Sequence, residues 1–233
     1  MLLRIKIQNF LSFQKETSFD MLTDPKIEGL PHHISKDTPL PLLKQAAIYG
    51  ANGAGKSNLI KTFVFLKNWV TNPKCLEEIE VCDYSFRMTD EDTKPPICLE
   101  VEFLSHQKAY LYKVAISEES IEESLYLSGL GKSADTLIFE RKDGKLLTHS
   151  LLNESAINEL LTANKKASLL VLHQGLGASY NPELKAAYEW FDEQLHIVKY
   201  PSDNLQLAKR LTSDEKLLDF VEDIVQSCDL DID

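Results

Sequence analysis

The sequence has no apolar run long enough to cross a membrane, which takes about 18 residues or more. Its first residues also lack the basic start and long apolar stretch of a secretory signal peptide, so we expect a cytoplasmic protein without a membrane partner. The four cysteines form no C-x-x-C pair and are too few for a disulfide framework, which favours reduced thiols. Nine glycines and nine prolines in 233 residues give no sign of a disordered or collagen-like chain.

Basic residues are outnumbered by acidic ones, and the net charge is −11. The imbalance is uneven, because residues 1–72 contain nine lysines and arginines against five acidic residues, whereas the remainder is strongly acidic. A protein that binds nucleic acid over its whole surface would be basic, and this chain is not. We therefore expect any contact with DNA at the basic N-terminal end, and a protein partner elsewhere.

Apolar residues make up 43% of the chain, which is enough for a packed core, and their spacing predicts an α/β protein. Alternation with a period of two predicts an N-terminal β-hairpin and, later, an antiparallel meander. After about residue 150 the spacing becomes helical, so we expect two parts, residues 1–150 and residues 151–233. The predicted strands include 3–7, 97–103, 110–116, 121–127 and 136–141, and the predicted helices lie near 153–163, 182–198 and 213–228.

A glycine-rich loop separates a predicted strand, 42–49, from a predicted helix, 56–70. The loop fits the pattern G-x-x-x-x-G-K-[ST], in which glycines allow a positive φ and let backbone N–H groups converge on phosphate oxygens. The helix that follows directs its positive dipole end at the same anion. The pattern predicts a phosphate-binding segment made of Gly50, Ala51, Asn52, Gly53, Ala54, Gly55, Lys56 and Ser57, with Asn58 beside it.

Lys56 and Ser57 have separate predicted roles at this loop. Lys56 would hold the β- and γ-phosphates of a nucleotide as a point charge. The Ser57 hydroxyl would complete the coordination shell of Mg²⁺. The loop by itself does not distinguish an ATPase from a GTPase or a kinase.

The segments around the loop resemble a known group of proteins. Residues 46–61, taken with residues 5–13, are similar to the ABC-type ATPases of the RecF, SMC and OLD group, and most similar to the stand-alone AAA-type ATP-binding proteins of bacterial phage-defence and abortive-infection loci. The resemblance implies an α/β P-loop NTPase fold. It implies, more closely, the N-terminal lobe of an ABC-type ATPase, with a mixed sheet around the P-loop helix, an antiparallel β meander and a helical C-terminal part.

The resemblance also implies cofactors, partners and site residues. Members of the group bind ATP with Mg²⁺ and associate as ATP-dependent dimers, so a dimer or higher oligomer of this chain is expected. In that group a hairpin like residues 9–13 lies near the nucleotide. A glutamine after the meander contacts Mg²⁺ or the attacking water, and Gln174 is the candidate for that catalytic and metal-binding role. The competing interpretation of Gln174 is an ordinary surface glutamine at a helix end.

Two motifs of ABC-type heads are not found in this sequence. Residues 127–131 imitate the signature segment but lie within the predicted meander. Residues 137–140 and 168–173 have no aspartate and glutamate pair of the Walker B kind. We therefore expect the catalytic half, with its second lobe, to lie outside this chain.

Two functions stay open at this point. The first is the ATP-binding lobe of an ATPase that hydrolyses ATP in the complete protein, in antiviral defence or DNA repair, with DNA or a nuclease as partner. The second is a non-catalytic scaffold or sensor whose ATP-bound form holds a nuclease or toxin effector until a phage trigger releases it. A small-molecule kinase is less favoured, because the strand-rich segment after the helix suits the ABC group better.

Overall fold

The computed structural model describes residues 1–24, 31–35, 37–88, 95–151, 153–176, 181–198 and 213–227. The chain forms two compact units, Met1–Leu195 and His196–Asp233. The division expected from composition near residue 150 stays a prediction. None of the helices in the described part of the chain is both long enough and apolar enough to span a membrane.

A seven-stranded sheet forms the centre of the first unit. Its strands are β1 (Leu2–Gln8), β2 (Thr17–Asp20), β5 (Ile97–Ser105), β6 (Lys108–Ile116), β7 (Ile121–Leu127), β8 (Thr136–Lys142) and β9 (Lys145–His149). Their spatial order is β2-β1-β5-β6-β7-β8-β9, and each neighbouring pair is antiparallel. A separate two-stranded sheet joins β3 (Ile34–Ser35) to β4 (Leu42–Leu43).

The predicted N-terminal hairpin and meander are confirmed by this sheet. Alternation in β1 explains why: Leu3, Ile5 and Ile7 are buried, whereas Arg4 and Lys6 are half-buried on the other face. The mixed sheet expected around the P-loop helix is not found among the described strands, since all their pairings are antiparallel. The strand expected before the loop does not join this sheet.

That strand, predicted over 42–49, is only two residues long. β4 ends at Leu43, and residues 45–50 have no regular secondary structure. The side chains from Ala46 to Tyr49 are exposed, and Tyr49 is 90% exposed. An apolar run predicts a buried strand only if neighbouring strands cover it, and no strand in the described ranges pairs with these residues.

Helices of the first unit cover one face of the sheet. The helices that begin at Lys56, Glu154 and Glu215 agree with their predicted bounds within two residues, whereas the helix predicted over 182–198 is a shorter helix that continues as a π-helical turn, Trp190–Gln194. Asn181 caps the start of this helix by accepting a hydrogen bond from the Glu183 N–H at 3.2 Å, and Pro182 occupies its first turn. The helices are α1 (Lys56–Thr71), α2 (Cys75–Glu78), α3 (Val81–Tyr84), α4 (Glu154–Ala163), α5 (Leu169–Leu172), α6 (Pro182–Glu189) and, in the second unit, α7 (Glu215–Ser227).

The core of the first unit lies between the inner face of the sheet and α1, α5, α6 and the π-helical turn. Aromatic rings fill much of it. The Phe103 ring stacks on Trp190 with centroids 4.3 Å apart, and Phe191 meets Tyr112 edge-on at 5.6 Å. These contacts attach the π-helical turn to β5 and β6. The C-terminal half of α1 is buried in the same core through Leu66, Trp69 and Val70.

Candidate functional site

The predicted phosphate loop lies on the surface, directly before α1. Residues 50–54 are exposed. Gly53 has φ 81° and Gly55 has φ 93°, and Gly55 is the residue that precedes the first turn of α1. Both values lie in the left-handed region, which glycine enters without the steric cost of a side chain. The loop therefore has the conformation that the glycine pattern predicts.

Lys56 and Ser57 stand together at the start of α1. The Lys56 ammonium donates hydrogen bonds to the carbonyl oxygens of Gly50 at 2.5 Å and Ala51 at 2.7 Å, so it lies folded back over the loop. The Ser57 side chain is exposed, and the first turn of α1 contains no acidic residue. A cation, an exposed hydroxyl and the positive end of a 16-residue helix meet at one place. This donor set fits the phosphates of a nucleotide and a Mg²⁺ ion.

The N-terminal hairpin contacts the loop through Ser12. The Asn58 amide nitrogen donates to the Ser12 Oγ at 2.9 Å. The same Oγ lies 2.8 Å from the position that a Cβ on Gly55 would occupy. Ser12 is thus packed against the glycine that begins the helix, which explains why a side chain at Gly55 does not fit.

The turn that carries Ser12 is fixed to α1 by an aromatic cluster. The Phe10 ring is buried, 5.3 Å from Phe65 of α1 and 5.8 Å from Tyr84 of α3, measured between centroids. The Leu11 N–H donates to the Tyr84 carbonyl at 2.7 Å. Asn9 and Leu11 both have positive φ, 53° and 50°, which is strained for leucine. The cluster holds this strained turn beside the phosphate loop.

Gly55→Ala should lower the free energy of unfolding more than Gly53→Ala does. Both substitutions place a side chain at positive φ, which costs about 1–2 kcal/mol of folding free energy, but only the Gly55 Cβ also meets Ser12, because nothing lies within 4 Å of a Cβ on Gly53. Gly175→Ala is the control, since its Cβ meets nothing within 4 Å. Urea denaturation of the three variants measures the difference. Equal destabilisation by Gly53→Ala and Gly55→Ala would show that Ser12 does not press on the loop.

Gln174 lies in a short 3₁₀ turn, His173–Leu176, that follows α5. Its side-chain nitrogen is 3.3 Å from the Nδ1 of His173. His173 is buried, and burial lowers the pKa of its imidazole below the ordinary value, so the ring is neutral at pH 7. The role of Gln174 as a catalytic residue and Mg²⁺ ligand stays a prediction.

The segment that leads to Gln174 is held by a buried carboxylate, Glu123 of β7. The Arg141 Nε donates to Glu123 Oε2 at 2.5 Å, and both side chains are fully buried. The Ser168 hydroxyl donates to Glu123 Oε1 at 2.7 Å, and the Leu169 N–H donates to Oε2 at 3.0 Å. Arg141 also donates to the Ala167 carbonyl at 2.7 Å. Glu123 and Arg141 therefore fix the start of α5 from two sides.

The same carboxylate is joined to α1 through two aromatic side chains. The Tyr112 hydroxyl donates to Glu123 Oε1 at 2.6 Å, and the Trp69 indole N–H donates to the Tyr112 oxygen at 2.8 Å. Burial and the adjacent Glu123 raise the pKa of Tyr112 well above its ordinary value, so the phenol keeps its proton. One buried network thus connects the helix after the phosphate loop to the segment before Gln174.

This network was not predicted from the sequence. A signal was present, because Glu123 shares the apolar alternation of Ile121 and Leu125 in β7, and Arg141 shares that of Phe139 in β8. Opposite charges at inward-facing positions of two neighbouring strands indicate an internal ion pair. The register confirms it, since Glu123 lies directly opposite Arg141.

The two segments that lack the Walker B acids have different secondary structures. Residues 137–140 belong to β8, and residues 168–173 are mostly helical in α5 and the turn after it. Within the described ranges no group of three or more His, Cys, Asp or Glu side chains is arranged to hold a metal ion. The roles of Ser57 and Gln174 toward Mg²⁺ stay predictions.

Comparison with known proteins gives one family. A family model described as "AAA domain, putative AbiEii toxin, Type IV TA system" matches residues 46–227, which is more than half of the chain. The match begins four residues before the phosphate loop and includes the sheet from β5 onward and α7. No curated protein matches the chain.

Proposed function

The chain belongs to the family of AAA domains described as putative AbiEii toxins of type IV TA systems, and from this premise we propose that it binds Mg-ATP at the loop Gly50 to Ser57. Membership makes it a P-loop protein with a nucleotide-binding, ATPase-like function. The observation that supports ATP binding is the conformation of the phosphate loop, in which Lys56 folds over an exposed segment with two glycines at positive φ. Lys56 would neutralise phosphate charge, and Ser57 would hold the Mg²⁺ ion.

We propose further that bound ATP controls association of this chain in the cytoplasm, with itself and with an effector. The first residues of the phosphate loop, 50–54, and the apolar residues from Ala46 to Tyr49 are all exposed on one continuous stretch of chain. A second protein surface could cover both at once, so nucleotide binding and association would be linked. Antiviral defence is the setting we propose, with DNA repair as the other candidate.

A non-catalytic form of this function is favoured by one observation. Water activation needs a positioned carboxylate, and neither residues 137–140 nor residues 168–173 contain the aspartate and glutamate pair of a Walker B strand. In this second candidate, ATP is a structural ligand, and the ATP-bound form holds a toxin or nuclease until a trigger releases it.

A DNA contact would use the basic N-terminal end. Lys6 there lies 3.5 Å from Glu16 and 3.9 Å from Glu100, so part of this charge is already neutralised within the protein. Binding to DNA should therefore be weak and should fall steeply with salt.

Calorimetric titration with Mg-ATP tests the proposal. We expect saturable binding that weakens when EDTA removes Mg²⁺, and sedimentation should show a larger species only when ATP is present. Phosphate release measured in parallel separates the two candidates, because steady turnover supports an ATPase and ATP-dependent association without turnover supports the scaffold. An isotherm without heat of binding at millimolar ATP would refute both.

A further inference from the structure

A cavity of about 490 Å³ lies on the outer face of the sheet, opposite the face that packs against α1. Its floor consists of alternate residues of β1, β5 and β6, which point away from the core because their neighbours Ile5, Val101 and Tyr112 point into it. Leucine side chains and the loop 128–135 form its walls. The volume is typical of sites for small molecules. The floor residues are Arg4, Lys6, Glu100, Glu102, Leu111 and Lys113.

Each charged side chain on the floor has a partner among the described residues, except Arg4. Glu100 lies between Lys6 at 3.9 Å and Lys113 at 3.6 Å. Glu102 accepts a short hydrogen bond from the Ser128 hydroxyl. Arg4 has no ion pair or hydrogen bond of its side chain to any residue in the part of the chain that the structure describes. Arg4 thus offers a guanidinium group to whatever enters the cavity.

The pairing of β1 with β5 is irregular beside Arg4. The register between the two strands shifts between Leu2 and Arg4, and Arg4 then lies opposite Glu102. Interruptions of a strand ladder are common beside functional sites. The cross-strand carboxylate does not pair with Arg4 but is engaged by Ser128 instead.

The loop 128–135, which closes the cavity, is fixed by internal hydrogen bonds and close backbone packing. Leu130 and Gly131 both have positive φ, 54° and 70°, and Leu130 lines the cavity. The Leu130 N–H donates to the Ser128 Oγ at 3.1 Å, and the Gly129 N–H donates to Asp135 at 2.9 Å. A Cβ on Gly129 would lie only 2.1 Å from the Ser133 carbonyl oxygen. A leucine held in a strained conformation at the wall of a cavity is typical of a binding site.

We propose that this cavity binds a small organic anion with one carboxylate or phosphate head group and an apolar body. The head group pairs with Arg4, whose planar fork matches two oxygens of such an anion. The body packs against Leu22, Leu111 and Leu130. Glu100 and Glu102 repel polyanions, so the site excludes a nucleoside triphosphate and is separate from the phosphate loop.

Titration of the full chain with octanoate, octyl phosphate and the neutral octanamide tests the proposal by ligand-observed NMR. We expect saturable binding of at least one anion and binding of octanamide weaker by roughly tenfold or more, since a charge-assisted pair is lost. The tighter of the two anions identifies the head group. Arg4→Gln should lower anion affinity by a similar factor, whereas Arg87→Gln, which removes an exposed arginine outside the cavity, should leave it unchanged.

Two further variants keep the test independent of folding. Arg4→Lys retains the charge but loses the planar guanidinium group that can bind two oxygens, and it should give an intermediate affinity. Leu130→Asn tolerates the positive φ and removes an apolar wall, so affinity should no longer rise from butanoate to octanoate. Octanamide that binds as well as octanoate, or anion affinity unchanged in Arg4→Gln and Arg4→Lys, would overturn the proposal.

Discussion

Lys56→Ala should reduce the affinity for Mg-ATP by roughly 100-fold or more, because the variant removes the cation that would neutralise the phosphates. The fold should persist. Lys56 is only half-buried, and its two hydrogen bonds go to carbonyl oxygens of an exposed loop that water can satisfy. Calorimetric titration with Mg-ATP measures the affinity, and far-ultraviolet circular dichroism checks the fold.

Lys74→Ala is the matched control for this experiment. Lys74 is exposed and lies beyond the opposite end of α1, so its removal changes the net charge equally without touching the loop. Its ATP affinity should stay within a factor of about two of the unmodified protein. If Lys56→Ala and Lys74→Ala bound ATP equally well, the loop would not be the nucleotide site.

Arg141→Met should destabilise the protein by about 3–5 kcal/mol, because Glu123 would be left buried without its counter-charge. Both side chains are fully buried, so water cannot replace the lost partner. The Ala167 carbonyl would lose its donor as well. Urea denaturation followed by tryptophan fluorescence measures the effect, since Trp69 is joined to this network through Tyr112.

Lys142→Met provides the comparison, since it breaks an ion pair between the same two strands. Lys142 pairs with Glu122, but their side chains are 48% and 53% exposed, and such pairs contribute at most about 1 kcal/mol. The double variant Glu123→Gln with Arg141→Met should recover part of the loss by removing the isolated charge. Similar unfolding midpoints for Arg141→Met and Lys142→Met would contradict the assigned role of the buried pair.

Much of the fold follows from local pattern in the sequence. Strict alternation in residues 97–116 predicts the hairpin of β5 and β6, because each inward residue has an apolar neighbour two positions away. The phosphate loop is equally local, since eight consecutive residues contain the glycines, the lysine and the serine. Such features need no knowledge of distant contacts.

The remaining features depend on contacts between distant parts of the chain. Ser12 reaches the loop only because the Phe10 ring packs on α1, and no spacing rule connects residue 12 with residue 55. The length of β4 could not be predicted either, because an apolar run such as 42–49 becomes a strand only where a partner strand exists. The pairing of β1 with β5, which joins the N-terminal hairpin to the meander, has the same origin.

The exposed run from Ala46 to Tyr49 has a practical consequence for handling the protein. An exposed apolar segment that no strand in the described ranges pairs with is a template on which another chain can add a strand, and it favours aggregation as concentration rises. The net charge of −11 opposes this by mutual repulsion, so solubility should be highest at low ionic strength and should fall as salt screens the charge.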